Sequence, residues 1–193
     1  MKKSYKPVTS GFSKYFKSVI KRGNFFGIAS GDDEYVYFLS SCIAGKIHKT
    51  FYADILQPLT LREAPAPGQR IVAGGKYPNF AATDIVSVVQ ENIKSANVPA
   101  QDTGFKIKLS RDAKEGYGNI IRVLTDKPVG AVVNECFIDM LDSSADWTLR
   151  GHDACSAVVA SIVDQLEIVF MPMRKESARE AVNAIASMPA FNL

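Results

Sequence analysis

An α+β fold is predicted from three features of the chain. Apolar residues at positions 12, 15, 16, 19 and 20 recur at helical spacing. Two aromatic, β-prone runs flank a Gly-Asp-Asp turn, and residues 105–109 alternate between apolar and basic side chains.

The first element lies in "GFSKYFKSVIKRGN" (11–24). Phe12, Tyr15, Phe16, Val19 and Ile20 share one helical face, with Ser13, Lys14, Lys17 and Lys21 on the other. Ser10 is expected to cap the helix, and Gly23 to supply the left-handed residue that ends it. Lys21 and Arg22 fall in the last turn, where the helix dipole favours cations.

"NFFGIAS", "GDDE" and "YVYFLSS" then read as a hairpin. Tyr35, Tyr37 and Leu39 share one face and Val36 and Phe38 the other, so both faces are largely apolar. One domain is expected for 1–193. The proline-rich stretch 61–70 is the one place where a helix-and-hairpin part could divide from a second α+β part. "RIVAGG" reads as a short strand ending in a glycine turn.

Thr83 is expected to cap a helix over 84–96 with Ile85, Val88, Val89 and Ile93 inward, although "IVSVV" also suits a strand. "GFKIKLS" is expected as a strand with Phe105, Ile107 and Leu109 inward and Lys106 and Lys108 outward. "NIIRVLT", carrying Arg122, returns as its partner, giving a hairpin with a basic outer face. "DACSAVVASIV" reads as a helix capped by Asp153. "LEIVFMPM" reads as a strand that Pro172 confines to an edge or a terminus. Ala178, Ala181, Val182, Ile185 and Met188 mark a final amphipathic helix stopped by Pro189.

At 193 residues and 47% hydrophobic, the chain can bury a full core. Its net charge of +3 is unevenly spread. The first 22 residues carry Lys2, Lys3, Lys6, Lys14, Lys17, Lys21 and Arg22 and no acid. That leaves 16 of the 23 cations against all 20 acids, a balance of −4 for the remainder. A basic end on a slightly acidic body suits phosphate, an anionic membrane surface or an acidic partner face. The basic helix has three competing readings: a helix docked on the core with solvated lysines, a phosphate binder, and a membrane-surface or transit segment. Transit segments favour arginine over lysine.

Lysines interrupt the early apolar run, so a secretory signal is not expected. The run 154–163 is about half of the roughly 20 residues that cross a bilayer. Cys42, Cys136 and Cys155 are odd in number and widely spaced, which favours a reducing compartment. A virion or cytoplasmic protein is expected.

Catalytic machinery is scarce. His48 and His152 are the only histidines, neither lies in an H-E-x-x-H motif, and no C-x-x-C occurs, so neither a metal nor a cofactor is expected. "AGGKYP" lacks the first glycine of a P-loop, and Tyr77 stands where Ser or Thr is needed. In "GHDACS", a first-turn Cys155 thiolate with His152 as base would make a small cysteine enzyme. A buried thiol is the stronger expectation. "GDDE" is expected as a polar turn, and no catalytic residue is assigned.

Residues 24–41, "NFFGIASGDDEYVYFLSS", resemble the aromatic strand pair of cold-shock domains, and "PGQRIV" and "AATDIV" are similar to the starts of that fold's last strands. The resemblance implies base contacts by Phe25, Phe26, Tyr35, Tyr37 and Phe38. Residues 77–193 resemble the layout of small RNA-phage coat proteins: "YPNFA", a basic-faced strand pair ending "TDKP", and "LEIVFMPM" leading into "RKESAREAVNAIASMPAF". That resemblance implies a sheet face binding RNA through Lys106, Lys108 and Arg122, and C-terminal helices, with Val182 and Ile185, interlocking a dimer.

The two resemblances agree on the partner. The expected function is a non-enzymatic, self-associating protein, a coat-like subunit that binds nucleic acid. Lys14, Lys17, Lys21 and Arg22 would neutralise phosphates by counterion release. A single-stranded nucleic-acid binder of cold-shock type is one alternative. Another is an interaction subunit docking another chain through Phe12, Tyr15 and Phe16.

Overall fold

The computed structural model describes residues 7–74, 81–109, 116–126 and 129–173. The protein is α+β: helices accompany an antiparallel sheet which, among the described residues, has ten strands. Helix α1 (Ser10–Lys21) leads into β1 (Phe26–Ser30), β2 (Tyr35–Ser40) and β3 (Ile43–His48). The short helices α2 (Tyr52–Ile55) and α3 (Gln57–Thr60) precede β4 (Arg70–Val72) and α4 (Ala82–Ser95). Then come β5 (Val98–Leu109), β6 (Gly116–Val123), β7 (Val129–Asn134) and α5 (Glu135–Ile138), and last β8 (Thr148–Gly151), β9 (Val158–Ile162) and β10 (Leu166–Phe170).

The strand order is β4-β1-β2-β3-β10-β9-β8-β5-β6-β7. The proline-rich stretch therefore leads back into the same sheet, because β4 pairs with β1. The chain beyond β10 reaches the far edge, where Met173 N donates to Val132 O at 2.8 Å.

The two-sided hydrophobicity of the first hairpin has a direct structural cause: helices cover both faces of the sheet. On one face Phe26, Ile28, Val36, Phe38, Ile168 and Phe170 pack beneath α1, α2, α3 and α5. On the other, Ala29, Tyr37, Ala44, Val159 and Val169 pack beneath Ala82, Ile85 and Val89 of α4. The larger core lies under α1, where Phe16 sits 4.7 Å from Phe12, 4.8 Å from Phe26 and 5.7 Å from Phe38, centroid to centroid.

Strand β3, "IAGKIH", has no clear sequence signature, and Gly45 at its middle is the reason. Gly45 lies opposite Phe38, and a Cβ there would sit 2.5 Å from both Phe38 Cζ and Glu167 O. The Phe38 ring thus fills the volume that a side chain at 45 would occupy. Gly45→Ala is expected to destabilise the fold by about 1–3 kcal/mol through overpacking, read as a lower urea midpoint. An unchanged midpoint would contradict this packing.

Two expectations need correction. The segment "DACSAVVASIV" forms β9 rather than a helix. Asp153 Oδ1 does accept the amide hydrogens of Cys155 and Ser156, both at 2.7 Å. That cap-like turn instead opens onto a strand, because β-branched Val158, Val159 and Ile162 are buried between β8 and β10. A strand buried on both faces shows no alternation, and so looks like a buried helix in sequence.

The caps of α1 and α4 also move. Thr9 caps α1, with Oγ1 accepting from Gly11 N at 3.2 Å. Helix α4 starts at Ala82, and Asp84 Oδ2 accepts from Ala81 N at 2.7 Å, so Thr83 lies inside its first turn. The end of α1 is as expected, with Gly23 at φ +73°.

Pro172 stands at a terminus, one of the two places expected for it: β10 ends at Phe170 and is itself interior, between β3 and β9. Its proline marks the terminus of a central strand. The expected helix from 177, with Val182 and Ile185, lies outside the described residues, as does Lys76 of "AGGKYP".

Candidate nucleic-acid interface

Helix α1 is held at both ends. Thr9 Oγ1 donates to Asp139 O at 2.8 Å, and Thr9 N donates to Met140 O at 2.8 Å, tying its start to the chain after α5. At its end, a Cβ on Gly74 would lie 2.8 Å from Asn24 O and 3.1 Å from Ile20 Cα, so only glycine permits this approach. Phe12 and Phe16 are fully buried and Val19 nearly so. Tyr15 is half-buried, edge-on to Phe16 at 5.2 Å and to Phe137 at 5.5 Å. Burial, and then the Cys42 and Cys136 thiols, push its phenol far above the usual tyrosine range.

This docking dictates where the charges go. Lys14, Lys17, Lys21 and Arg22 are all exposed, and none forms an ion pair with a described acidic residue. Lys14 to Lys21 spans about 10 Å along the helix at 1.5 Å per residue. The docking on another chain expected of Phe12 and Phe16 needs correction, because the chain's own core covers both rings and leaves no surface for a partner.

The basic face expected on the β5–β6 hairpin is divided by the sheet. Lys106 pairs with Asn119 and Lys108 with Tyr117, while Arg122 pairs with Gln101 and Gly130. Asn119 and Arg122 stand three residues apart on β6, so they face opposite sides. Lys106 ion-pairs with Glu135, which raises its pKa by the hydrogen bond and then by the carboxylate charge. Arg122 Nε is buried without a hydrogen-bond partner among the described residues.

Phe105, expected inward, is 46% exposed. A register shift between Asp102 and Lys106, with Gly104 at φ +72°, carries it off the core. Ile107 alone of that pair packs inward, against Ile120 and Val132. Phe105→Ser is therefore expected to change stability by no more than about 0.5 kcal/mol. A larger drop in urea midpoint would place the ring in a core.

The rings assigned to base stacking are also buried: Phe26 and Phe38 in the core beneath α1, Phe25 and Tyr37 in the core beneath α4. Tyr35 is only partly covered. Cys155 precedes a strand, and so is not at a helix start, and His152 Nδ1 lies 3.4 Å from Asn97 Oδ1. Asp32 Oδ1 accepts from Glu34 N and Tyr35 N at 2.9 and 2.7 Å, the polar turn expected of "GDDE". Among the described residues, no group of three or more His, Cys, Asp and Glu could hold a metal ion. Nor is any helix there long and apolar enough to cross a membrane.

Sequence reading passed over one charged constellation. Arg150 Nη2 donates to Glu167 Oε1 at 2.6 Å and to Ser161 Oγ at 3.1 Å, and Lys46 Nζ lies 4.0 Å from Glu167 Oε2. The three charged residues come from β8, β10 and β3, more than 100 positions apart at the extremes, so no local spacing could reveal them.

Comparisons with protein-family models, with characterised proteins and with solved structures find no match to this chain.

Proposed function

We propose that the protein binds nucleic-acid phosphates through the outer face of α1, as a non-enzymatic, self-associating subunit of coat type. One observation carries this reading. The apolar stripe of α1 is consumed by the chain's own core, which fixes Lys14, Lys17, Lys21 and Arg22 toward solvent without described acidic partners. A rigid array of uncompensated cations releases counterions when it meets a polyanion.

Lys106 contributes less, because Glu135 already neutralises it, and Arg122 lies on the other sheet face. Base stacking has no part in the reading, since four of the five rings are buried. Exposed Phe105 and Tyr117, on the β5–β6 hairpin, support self-association in place of the buried α1 rings.

The test is fluorescence anisotropy of a labelled oligonucleotide at several salt concentrations. Four neutralised phosphates predict an affinity loss of roughly 50- to 150-fold between about 50 and 200 mM salt. A flat profile, or no binding at the lowest salt, would exclude this function.

A further inference from the structure

Strand register builds a polar row across the middle of the sheet. Lys46 stands opposite Glu167, Glu167 opposite Ser161, and Ser161 opposite Thr148. Ala44, Val159 and Val169, on the same face, lie beneath α4. Where the cover of α4 stops, a cavity of about 290 Å³ opens, walled by Tyr35, Lys46, Arg150, Asp164, Gln165 and Glu167 among others. Helix α1 packs on the opposite face, so this cavity is separate from the phosphate-binding surface proposed above.

The inventory of the cavity's polar groups points to a ligand class. Its two cations and two carboxylates cancel, and Glu167 already engages both cations. A guanidinium has five N–H donors, and among the described residues only Arg150 Nη2 is used. The Lys46 ammonium lies 3.8 Å from the Tyr35 ring centroid and 4.0 Å from Glu167, so its three donors make no close hydrogen bond there. On the accepting side, the exposed Asp164 carboxylate lines the cavity and forms no ion pair with a described residue.

We infer that this cavity binds one ring of a neutral, hydroxyl-rich ligand, a saccharide unit. A small oxyanion would gain little, because Glu167 neutralises the cations and Asp164 adds a second negative charge. A metal ion would meet two cations. A hydroxyl donates and accepts at once, so it can use the remaining donors of Lys46 and Arg150 and the carboxylate of Asp164 while the Arg150–Glu167 pair stays intact. The C–H edges of such a ring find apolar surface on Tyr35 and Val163, the latter 76% exposed at the cavity rim. The volume lies near the lower limit of ligand pockets, which suits a single ring.

Amide chemical-shift mapping on the full chain tests this, with glucose, galactose, mannose and N-acetylglucosamine titrated separately. At least one should produce saturable shifts confined to Tyr35, Lys46, Arg150 and the segment 161–167. Lys46→Gln and Arg150→Lys should each weaken that binding by at least about tenfold, through loss of a charge-assisted hydrogen bond. Neutralising the α1 cations should leave it unchanged, which separates this result from the nucleic-acid reading. No saturable shifts with any of the four sugars would overturn the assignment. So would shifts located elsewhere on the unaltered chain, or inorganic phosphate competing for the same residues.

Discussion

Phe16→Ala is expected to destabilise the fold by about 3–5 kcal/mol, a large share of the roughly 5–15 kcal/mol that holds a typical domain. Phe16 is fully buried, and its ring meets Phe12, Tyr15, Phe26 and Phe38 with centroids 4.7 to 5.7 Å away. Truncation removes the transfer free energy of the ring and leaves a cavity that four aromatic neighbours cannot all collapse into. All four of those pairs are tilted or edge-to-face contacts within α1 or between α1 and the first hairpin, and such a pair adds a further increment of order 0.5–1.5 kcal/mol. Urea unfolding should show the loss as a lower midpoint at an unchanged slope. A loss below about 1 kcal/mol would mean that α1 is not anchored on the sheet. The orientation of its lysines would then have no structural basis.

The second large effect concerns charge. The combined variant Lys14→Gln, Lys17→Gln, Lys21→Gln and Arg22→Gln should lower oligonucleotide affinity by about 10³-fold near 0.1 M salt, and flatten its salt dependence. The four side chains are exposed, so the fold should survive. Losing Lys21 and Arg22 at the helix C-terminus should cost only about 0.3–1 kcal/mol each through the dipole. Lys106→Gln and Arg122→Gln serve as the comparison. They should have a much smaller effect, because Lys106 is held by Glu135 and Arg122 points to the opposite side. Equal losses from both sets would mean that cations contribute irrespective of position, and the α1 interface would be wrong.

Local chemistry was legible where it did not depend on distant partners. The α1 stripe, the Gly23 stop, the first hairpin with its turn, and Ile85, Val89 and Ile93 on the inward face of α4 all follow from periodicity and turn chemistry within one segment, although Val86 packs there where Val88 is expected. The exposure of the four α1 cations follows as well, since a stripe that buries Phe12, Phe16 and Val19 must turn Lys14 and Lys17 outward.

Position in the sheet was not legible, and the departures in the strands trace to that. Residues 158–162 lack alternation because strands on both sides and residues on both faces cover them, a fact supplied by β8 and β10. Gly45 makes β3 look weak until Phe38 is seen lying over it. Phe105 alternates correctly in sequence, yet the register shift at Gly104 carries it to solvent. The aromatic rings of the first hairpin have the composition of a stacking platform, and whether they stack on bases or on a core depends on whether helices cover them.

By itself, then, the amino-acid sequence determined the class, the local elements and the basic outer face of the first helix, because these rest on interactions between residues a few positions apart. The tertiary structure alone decided which strands are central, how Lys106 and Arg122 part company, and where Lys46, Arg150 and Glu167 meet. Those outcomes depend on strand pairing across more than 100 residues, which no short-range pattern encodes.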